Sequence, residues 1–500
     1  MEIDDNDVNN KLEKPLYKKN KSKKVHQNCS FSKKMAIGTI FTITLFVFIL
    51  FNYYNENHIY NPISLEKNEK KENSKLSNTD NIIYSFKATY KVYNDNGVTE
   101  LIHSIKSEDI KEMIVEGEKV KPSNEYLFPK KGKYTVFFLL DETNLDSLSH
   151  MFDGIINLES ISFSEKFNSE KIIKMDNMFK NCKSLIDVDL SKFNTKNVKE
   201  MQFMFFGCSA LISLDLSNFN NENLINMNRM FFQCTVLEQL NLKNFKTTKV
   251  EDMSYAFANL NVIKTLDLSS FDTRNVKNMR GMFERCKSLF YVNLRKFNTE
   301  KVEDMSYMFN KCYSLISIDS DHFYAPKLKS MNSMFFSCKA LTSLDLSKIG
   351  GENVLDIDNM LEGCGSLSYL NFANFNAPNL KKMNYLFFFC SSLTSIDLTN
   401  FKTDSVTSMT GMFQGCSKLK TVDVSSFNTQ NVESMVDMFN GCSSLLKIDI
   451  SNFNTENVKH LQRMFDHCPS LVKGEIKINR KSLDKFERSV PSNLTLGVID

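Results

Sequence analysis

An α/β solenoid is the fold this sequence predicts: a right-handed stack of about twelve repeats, each with one parallel strand and a short helical or 3₁₀ turn. Ahead of the stack the sequence places a transmembrane helix and a small β-rich cap. Three observations carry the prediction. Cysteines recur at a fixed interval, the same apolar pattern follows each of them, and a run of lysines precedes a long uncharged stretch near the N-terminus.

The interval is the strongest signal. Cys182, Cys208, Cys234, Cys286, Cys312, Cys338, Cys364, Cys390, Cys416, Cys442 and Cys468 are spaced by 26 residues, save one gap of 52 in which Leu260 holds the missing position. Such a period marks a solenoid, because each unit buries its apolar face only against its neighbours. Counted from the cysteine, the unit reads C-x-x-L-x-x-L-D-L-S-x-F-N-T-x-N-V-x-x-M-x-x-M-F-x-x. A degenerate copy begins at Met151 with Ile155 in the cysteine position, so the array covers residues 151–472.

Within one unit, "SLLKIDI" points Ile448 and Ile450 inward and Asp449 outward, the alternation of a strand. In "NVESMVDMF", Val432, Met435, Met438 and Phe439 recur at the spacing of a short helical or 3₁₀ turn. Parallel strands stacked about 4.8 Å apart would give a rod roughly 55–60 Å long. Methionine and phenylalanine number 24 and 42, and the repeat uses them as core columns.

The remaining elements follow in chain order. Residues 1–34 form a basic tail, in which "KPLYKKNKSKKVHQNCSFSKK" carries lysines and no acid. "MAIGTIFTITLFVFILF" has no charge, and with Tyr53 and Tyr54 at the interface it makes 35–54 a transmembrane signal-anchor. A cleaved signal peptide would have a shorter apolar core and a small-x-small site. The lysines keep the N-terminus cytosolic and send the repeats outside or into a lumen. Residues 55–80 read as a flexible stalk, too polar to bury a core. Residues 81–150 form the β-rich cap, with strands in "YSFKATYKVY" and "KYTVFFLL" and a short helix in "SEDIKEMIVEG". Residues 473–500 leave the repeat and cap the far end.

A net charge of +3 gives no reason to expect nucleic acid. No phosphate loop, nucleophile elbow or paired-carboxylate motif occurs, so no cofactor and no enzyme are expected. The cysteine column reads as buried core thiols. Disulfides between rungs remain open on distance, whereas a metal site lacks C-x-x-C or histidine partners. A second column carries Asp189, Asp215, Asp267, Asp319, Asp345, Asp397, Asp423 and Asp449, with Asn241, Asn293 and Asn371 between them. Like charges about 5 Å apart repel by about 1 kcal/mol in water, so something must compensate. Hydrogen bonds to backbone amides or to the neighbouring serines would do so. A line of Ca²⁺ or a basic partner laid along the sheet is the alternative, with Asp397, Asp423 and Asp449 as the Ca²⁺ candidates. Phe290, Tyr291, Tyr369, Lys420, Lys447 and Lys473 vary beside this column and form the candidate binding face.

L-x-x-L-x-L resembles the strand segment of leucine-rich repeats. The fuller M-F-x-x-C-x-S-L-x-x-L-D-L-S-x-F-N-T-x-N-V pattern resembles the BspA-like leucine-rich-repeat surface proteins of bacteria and protists, over residues 151–472. The resemblance implies surface display and binding to host or matrix components, and it implies no catalytic residue. The usual bacterial anchor of that family is a lipid, whereas this chain offers an apolar helix. The expected function is therefore non-catalytic binding of a protein or glycan along the sheet face. The alternative is a self-associating scaffold of a coat or organelle membrane.

Overall fold

The computed structural model describes residues 83–499 other than 321, 322, 373 and 474. The expected tail (1–34), signal-anchor (35–54) and stalk (55–80) lie outside the described residues. Among the described residues no helix is long and apolar enough to cross a membrane.

The cap holds β1 (Phe86–Val92), β2 (Gly97–Glu100), β3 (Ile110–Val115), β4 (Glu118–Val120), β5 (Glu125–Phe128) and β6 (Gly132–Leu140). Alternation sets its core: β1 buries Phe86, Ala88, Tyr90 and Val92 and turns the residues between them outward. The helix expected in "SEDIKEMIVEG" is instead one 3₁₀ turn, Ser107–Asp109, followed by β3. β-branched Ile110, Ile114 and Val115 favour extension, and β3 pairs with both β6 and β4.

The strand of the first repeat, β7 (Leu158–Phe163), lies antiparallel to β1 and parallel to β8 (Asp187–Asp189). Cap and solenoid thus share one six-stranded sheet of order β4-β3-β6-β1-β7-β8, which covers the edge that the first repeat would otherwise expose. Later repeats contribute β9 (Ser213–Asp215), β10 (Gln239–Asn241), β11 (Thr265–Leu266), β12 (Tyr291–Val292), β13 (Ser343–Asp345), β14 (Tyr369–Asn371) and β15 (Lys447–Asp449). Then β16 (Glu475–Asn479) and β17 (Leu496–Ile499) extend the sheet in parallel at the C-terminal end. Between them a short helix, α1 (Leu483–Glu487), buries Phe486 against the last repeat.

The structure is a β-solenoid of about twelve turns. The helix expected in each repeat is absent from the described repeats, and the backbone hydrogen bonds give the reason. In "MDNMFKNC", Met178, Lys180 and Cys182 donate their N–H three residues back, to Met175, Asn177 and Phe179. The amides between them, Met175, Asn177, Phe179 and Asn181, donate forward to the next rung, at Glu200, Gln202, Met204 and Phe206. A helix would keep every amide inside the rung. Alternation is enforced by two left-handed residues per rung, here Asn177 (φ 56°) and Asn181 (φ 60°). The apolar spacing of three, three and one survives in this chain of turns, so Ile172, Met175, Met178 and Phe179 are all fully buried.

The core is columnar. Phe152, Phe179, Phe205, Phe231 and Phe257 stack in sequence with centroids 5.4–5.9 Å apart. Phe413, Phe439 and Phe465 continue the column at 5.3 and 5.5 Å. A third column is polar yet buried: Thr247, Thr273 and Thr299 each donate their hydroxyl to a carbonyl of the next rung, at Asp272, Asn298 and Tyr324.

Candidate functional site

The thiols of the column are enclosed by the stack. Each cysteine of the column is free and buried, and its S–H donates to the carbonyl of the preceding rung's phenylalanine or leucine, as Cys442 does to Phe413 at 3.1 Å. Burial disfavours the thiolate throughout: Cys234, Cys286, Cys364 and Cys416 are pushed up to about 12. A buried thiol whose neutral form is favoured is a poor nucleophile and a poor metal ligand. Among the described residues no group of three or more His, Cys, Asp and Glu could hold a metal ion.

The aspartate column solves its repulsion by folding. Asp189, Asp215, Asp345, Asp423 and Asp449 each accept, at Oδ1, the backbone N–H two residues on, from Ser191, Ser217, Ser347, Ser425 and Ser451 at 2.8–3.1 Å. Asn241 and Asn293 accept from Lys243 and Arg295 in the same way. An Asx turn needs only an Oδ1 acceptor, which explains why Asn substitutes freely. Of the Ca²⁺ candidates, Asp397 accepts from the Thr399 amide and hydroxyl, at 3.1 and 2.7 Å. Bonds from Ser451 and Ser425 hold the Asp449 and Asp423 carboxyls below the usual range.

The candidate binding face divides in two. Strand alternation predicts an outward Tyr291, but it is 7% exposed, and its hydroxyl donates to Asp319 at 3.1 Å. Phe290 and Tyr369 are half-buried. Lys420 and Lys447 are exposed, and Lys473 ends the 3₁₀ turn Pro469–Lys473. Lys447 borders a groove of about 410 Å³, together with Thr421, Asp423, Asp449, Asn452 and Lys477. This groove is where the structure brings predicted lysine and aspartate candidates together.

Sequence reasoning missed the turn face. Left-handed positions ordinarily take Gly or Asn, yet here they hold Phe203 (φ 58°), Arg229 (φ 52°), Tyr255 (φ 56°) and Tyr307 (φ 61°). Their side chains form a stack along the axis. Arg229 lies over the rings of both Phe203 and Tyr255, at 5.7 and 4.6 Å. Arg280 continues it, over Tyr307 at 4.8 Å and donating to the Tyr255 hydroxyl at 3.1 Å. Where Gly411 follows Tyr385 in this column, a Cβ would meet the tyrosine ring at 2.5 Å, so the glycine makes room as well as a turn. The signal was present in the recurring Gly before Cys, as at Gly415 and Gly441, which marks a left-handed site.

A parallel β-solenoid whose turns repeat a leucine-type strand segment, formed as a strand in some rungs and left extended in others, defines the class: a leucine-rich-repeat-type protein. The chain belongs to the family described as Mycoplasma protein of unknown function, DUF285, which matches residues 146–266, 253–374 and 381–490. No curated protein matches the sequence. Among solved structures, a leucine-rich repeat protein from Bacteroides ovatus is 16% identical, with 76% of this chain and 90% of that one covered and a TM-score of 0.44. One from Eubacterium ventriosum is 15% identical, covering 62% of this chain and 90% of that chain, with a TM-score of 0.29. InlJ from Listeria monocytogenes, whose functional domain includes a cysteine ladder, is 11% identical, covering 71% and 77%, with a TM-score of 0.18. These likenesses concern the fold.

Proposed function

We propose that this chain is a membrane-anchored surface protein of the BspA-like kind, whose solenoid binds a protein or glycan partner without catalysis. One observation carries the reading. The repeated reactive side chains are taken up by structure, while the outward column beside the aspartates changes from rung to rung: Gln239, Thr265, Tyr369, Thr421 and Lys447. A fixed frame with a varied row is how solenoids build recognition surfaces. The test is a C-terminal tag probed on intact cells, with protease shaving as control. Exposure and removal support the reading, and detection only after permeabilisation overturns surface display. For the purified chain, Lys420→Glu with Lys447→Glu should weaken saturable binding to cells or matrix.

The scaffold alternative has its own support. β17 ends its sheet, paired to β16 alone among the described residues, with Val498 and Ile499 exposed. Such an edge invites strand addition from a second copy. A concentration-dependent increase in size, lost in Val498→Pro, favours this reading.

A further inference from the structure

On the turn face, one rung gathers three aromatic rings near the surface. Tyr385 and Phe388 meet edge to face with centroids 5.5 Å apart, and Phe388 and Phe389 do so at 4.5 Å. Phe389 has φ 55° and is 53% exposed, so neither backbone preference nor burial favours a phenylalanine there. The next rung makes room for its ring. A Cβ at Gly415 would meet three carbons of the Phe389 ring at 2.8–3.1 Å. One rung further the column is bare: a Cβ at Gly441 would meet only the Gly415 backbone, at 3.5 Å. The rung after that closes the gap with the exposed His467, whose Nδ1 lies 3.1 Å from Asn440 Oδ1. Phe389 and His467 thus stand three rungs apart, roughly 14 Å, with open space over Gly441 between them.

Polar groups line this notch. Asn440 Nδ2 donates to Asp437 Oδ1 at 2.7 Å, and Arg463 donates to both Asp437 oxygens at 2.8 and 2.6 Å. Arg463 also lies within electrostatic reach of Tyr385 and Asp466, which places the ion pair alongside the rings. Among the described residues nothing bonds Nε2 of His467 or Nη1 of Arg463. Two carboxylates therefore face one guanidinium, a balance that disfavours an anionic ligand.

We propose that this notch binds a neutral hexopyranose of a glycan, with a C–H face of the sugar on the Phe389 ring and its hydroxyls on Asn440, His467 and the Asp437–Arg463 pair. Sugar C–H groups carry slight positive charge and match the negative face of an aromatic ring. Hydroxyls both donate and accept, as do an amide, a neutral imidazole and a carboxylate–guanidinium pair taken together. Glycine lets a ligand come close to the backbone. The inference goes beyond the sheet-face reading above, and the experiment reads the two faces separately.

The test is saturation-transfer-difference NMR on the full chain, with the methyl pyranosides of glucose, galactose and mannose as probes. The expected result is transfer to at least one probe, strongest at the ring protons of one sugar face. Phe389→Asn, which removes the ring, and Gly441→Asn, which fills the notch, should each weaken binding roughly two- to tenfold. Asparagine tolerates the left-handed backbone, as Asn181 and Asn259 do in the same column, and matching circular dichroism confirms that the variants fold. Lys420→Glu with Lys447→Glu, on the sheet face, should leave binding unchanged. No transfer to any probe overturns the site, and so does transfer that both turn-face variants leave intact. If binding falls only in the lysine variant, the sugar belongs to the sheet face, which upholds the proposed function and overturns this notch. If no probe binds and Phe389→Asn lowers the oligomeric state, the rings are a contact between copies and the sugar site falls.

Discussion

The two outward faces of the solenoid are built by opposite rules. On the sheet face, strands of two or three residues come and go, and none forms at 395–398 or 421–424. On the turn face, single parallel bridges run without a break from Ser147–Lys174 to Ser434–His460. Up to four amides per rung reach forward there, as those of Asp437, Phe439 and Gly441 still do near the far end. The continuous ladder is therefore the turn, and the strand is its intermittent companion. A side chain on the sheet face can change without cost to the frame, whereas one on the turn face must tolerate a left-handed backbone.

The largest consequence of that difference concerns the thiols that line the turn ladder. Their folded pKa values are raised, so the neutral form stabilises the fold fully below the unfolded value, about 8.5, and the contribution is lost as pH rises above it. Each thiol should cost about 1.4 kcal/mol per pH unit in that range, and the whole column on the order of 10 kcal/mol by about pH 9.5. We expect cooperative alkaline unfolding between about pH 9 and 10, followed by circular dichroism with thiolate absorbance. Thiols that titrate at ordinary values in a fold that persists would contradict their burial.

Asn221 breaks the threonine column. It is fully buried, and among the described residues neither its side-chain nitrogen nor its side-chain oxygen has a partner, whereas Thr195 and Thr247 accept backbone amides of the next rung. Asn221→Thr should raise stability by about 1–3 kcal/mol in denaturant melts, the usual cost of unpaired buried polar groups. No gain would mean that the rung has already adapted.

Smaller effects separate the faces further. Gln233 is exposed at φ 62°, in the column that elsewhere holds Gly207 and Gly363. Gln233→Gly should gain about 0.5–1 kcal/mol, the left-handed strain of 1–2 kcal/mol less glycine's added chain entropy. A loss would show that this ladder imposes little strain. On the sheet face, Asp423→Asn keeps the Oδ1 acceptor for the Ser425 amide and should change stability at neutral pH by less than about 0.5 kcal/mol. Because the Asp423 carboxyl is held low in the fold, its charge favours folding above the ordinary carboxylate pKa, about 3.9, and that help fades as pH falls through the lower folded value. The variant should therefore lose less stability in acid than the parent, as acid melts of the two would show.

The cysteine spacing was legible because a repeat prints its period on the sequence. The cap was legible because strand alternation in "YSFKATYKVY" is local. Tyr291 was misplaced: in the alternation it faces out, and only its neighbours decide that it is covered and bonded to Asp319. The turn reads as a helical or 3₁₀ turn because Met435, Met438 and Phe439 repeat at a spacing that the helix and the chain of turns share.

By itself, then, the sequence determined the periodic stack, its columns of Met, Phe and Cys, and the cap before it. Those follow from which residues prefer to leave water, a property each carries alone. The tertiary structure alone decided where each amide goes. An N–H bonds within its rung or to the next according to whether a neighbouring rung stands 26 residues away in register, and no local pattern records that choice. The same dependence placed Phe203, Arg229, Tyr255, Arg280 and Tyr307 in one stack, since residues a full turn apart meet only when the solenoid closes.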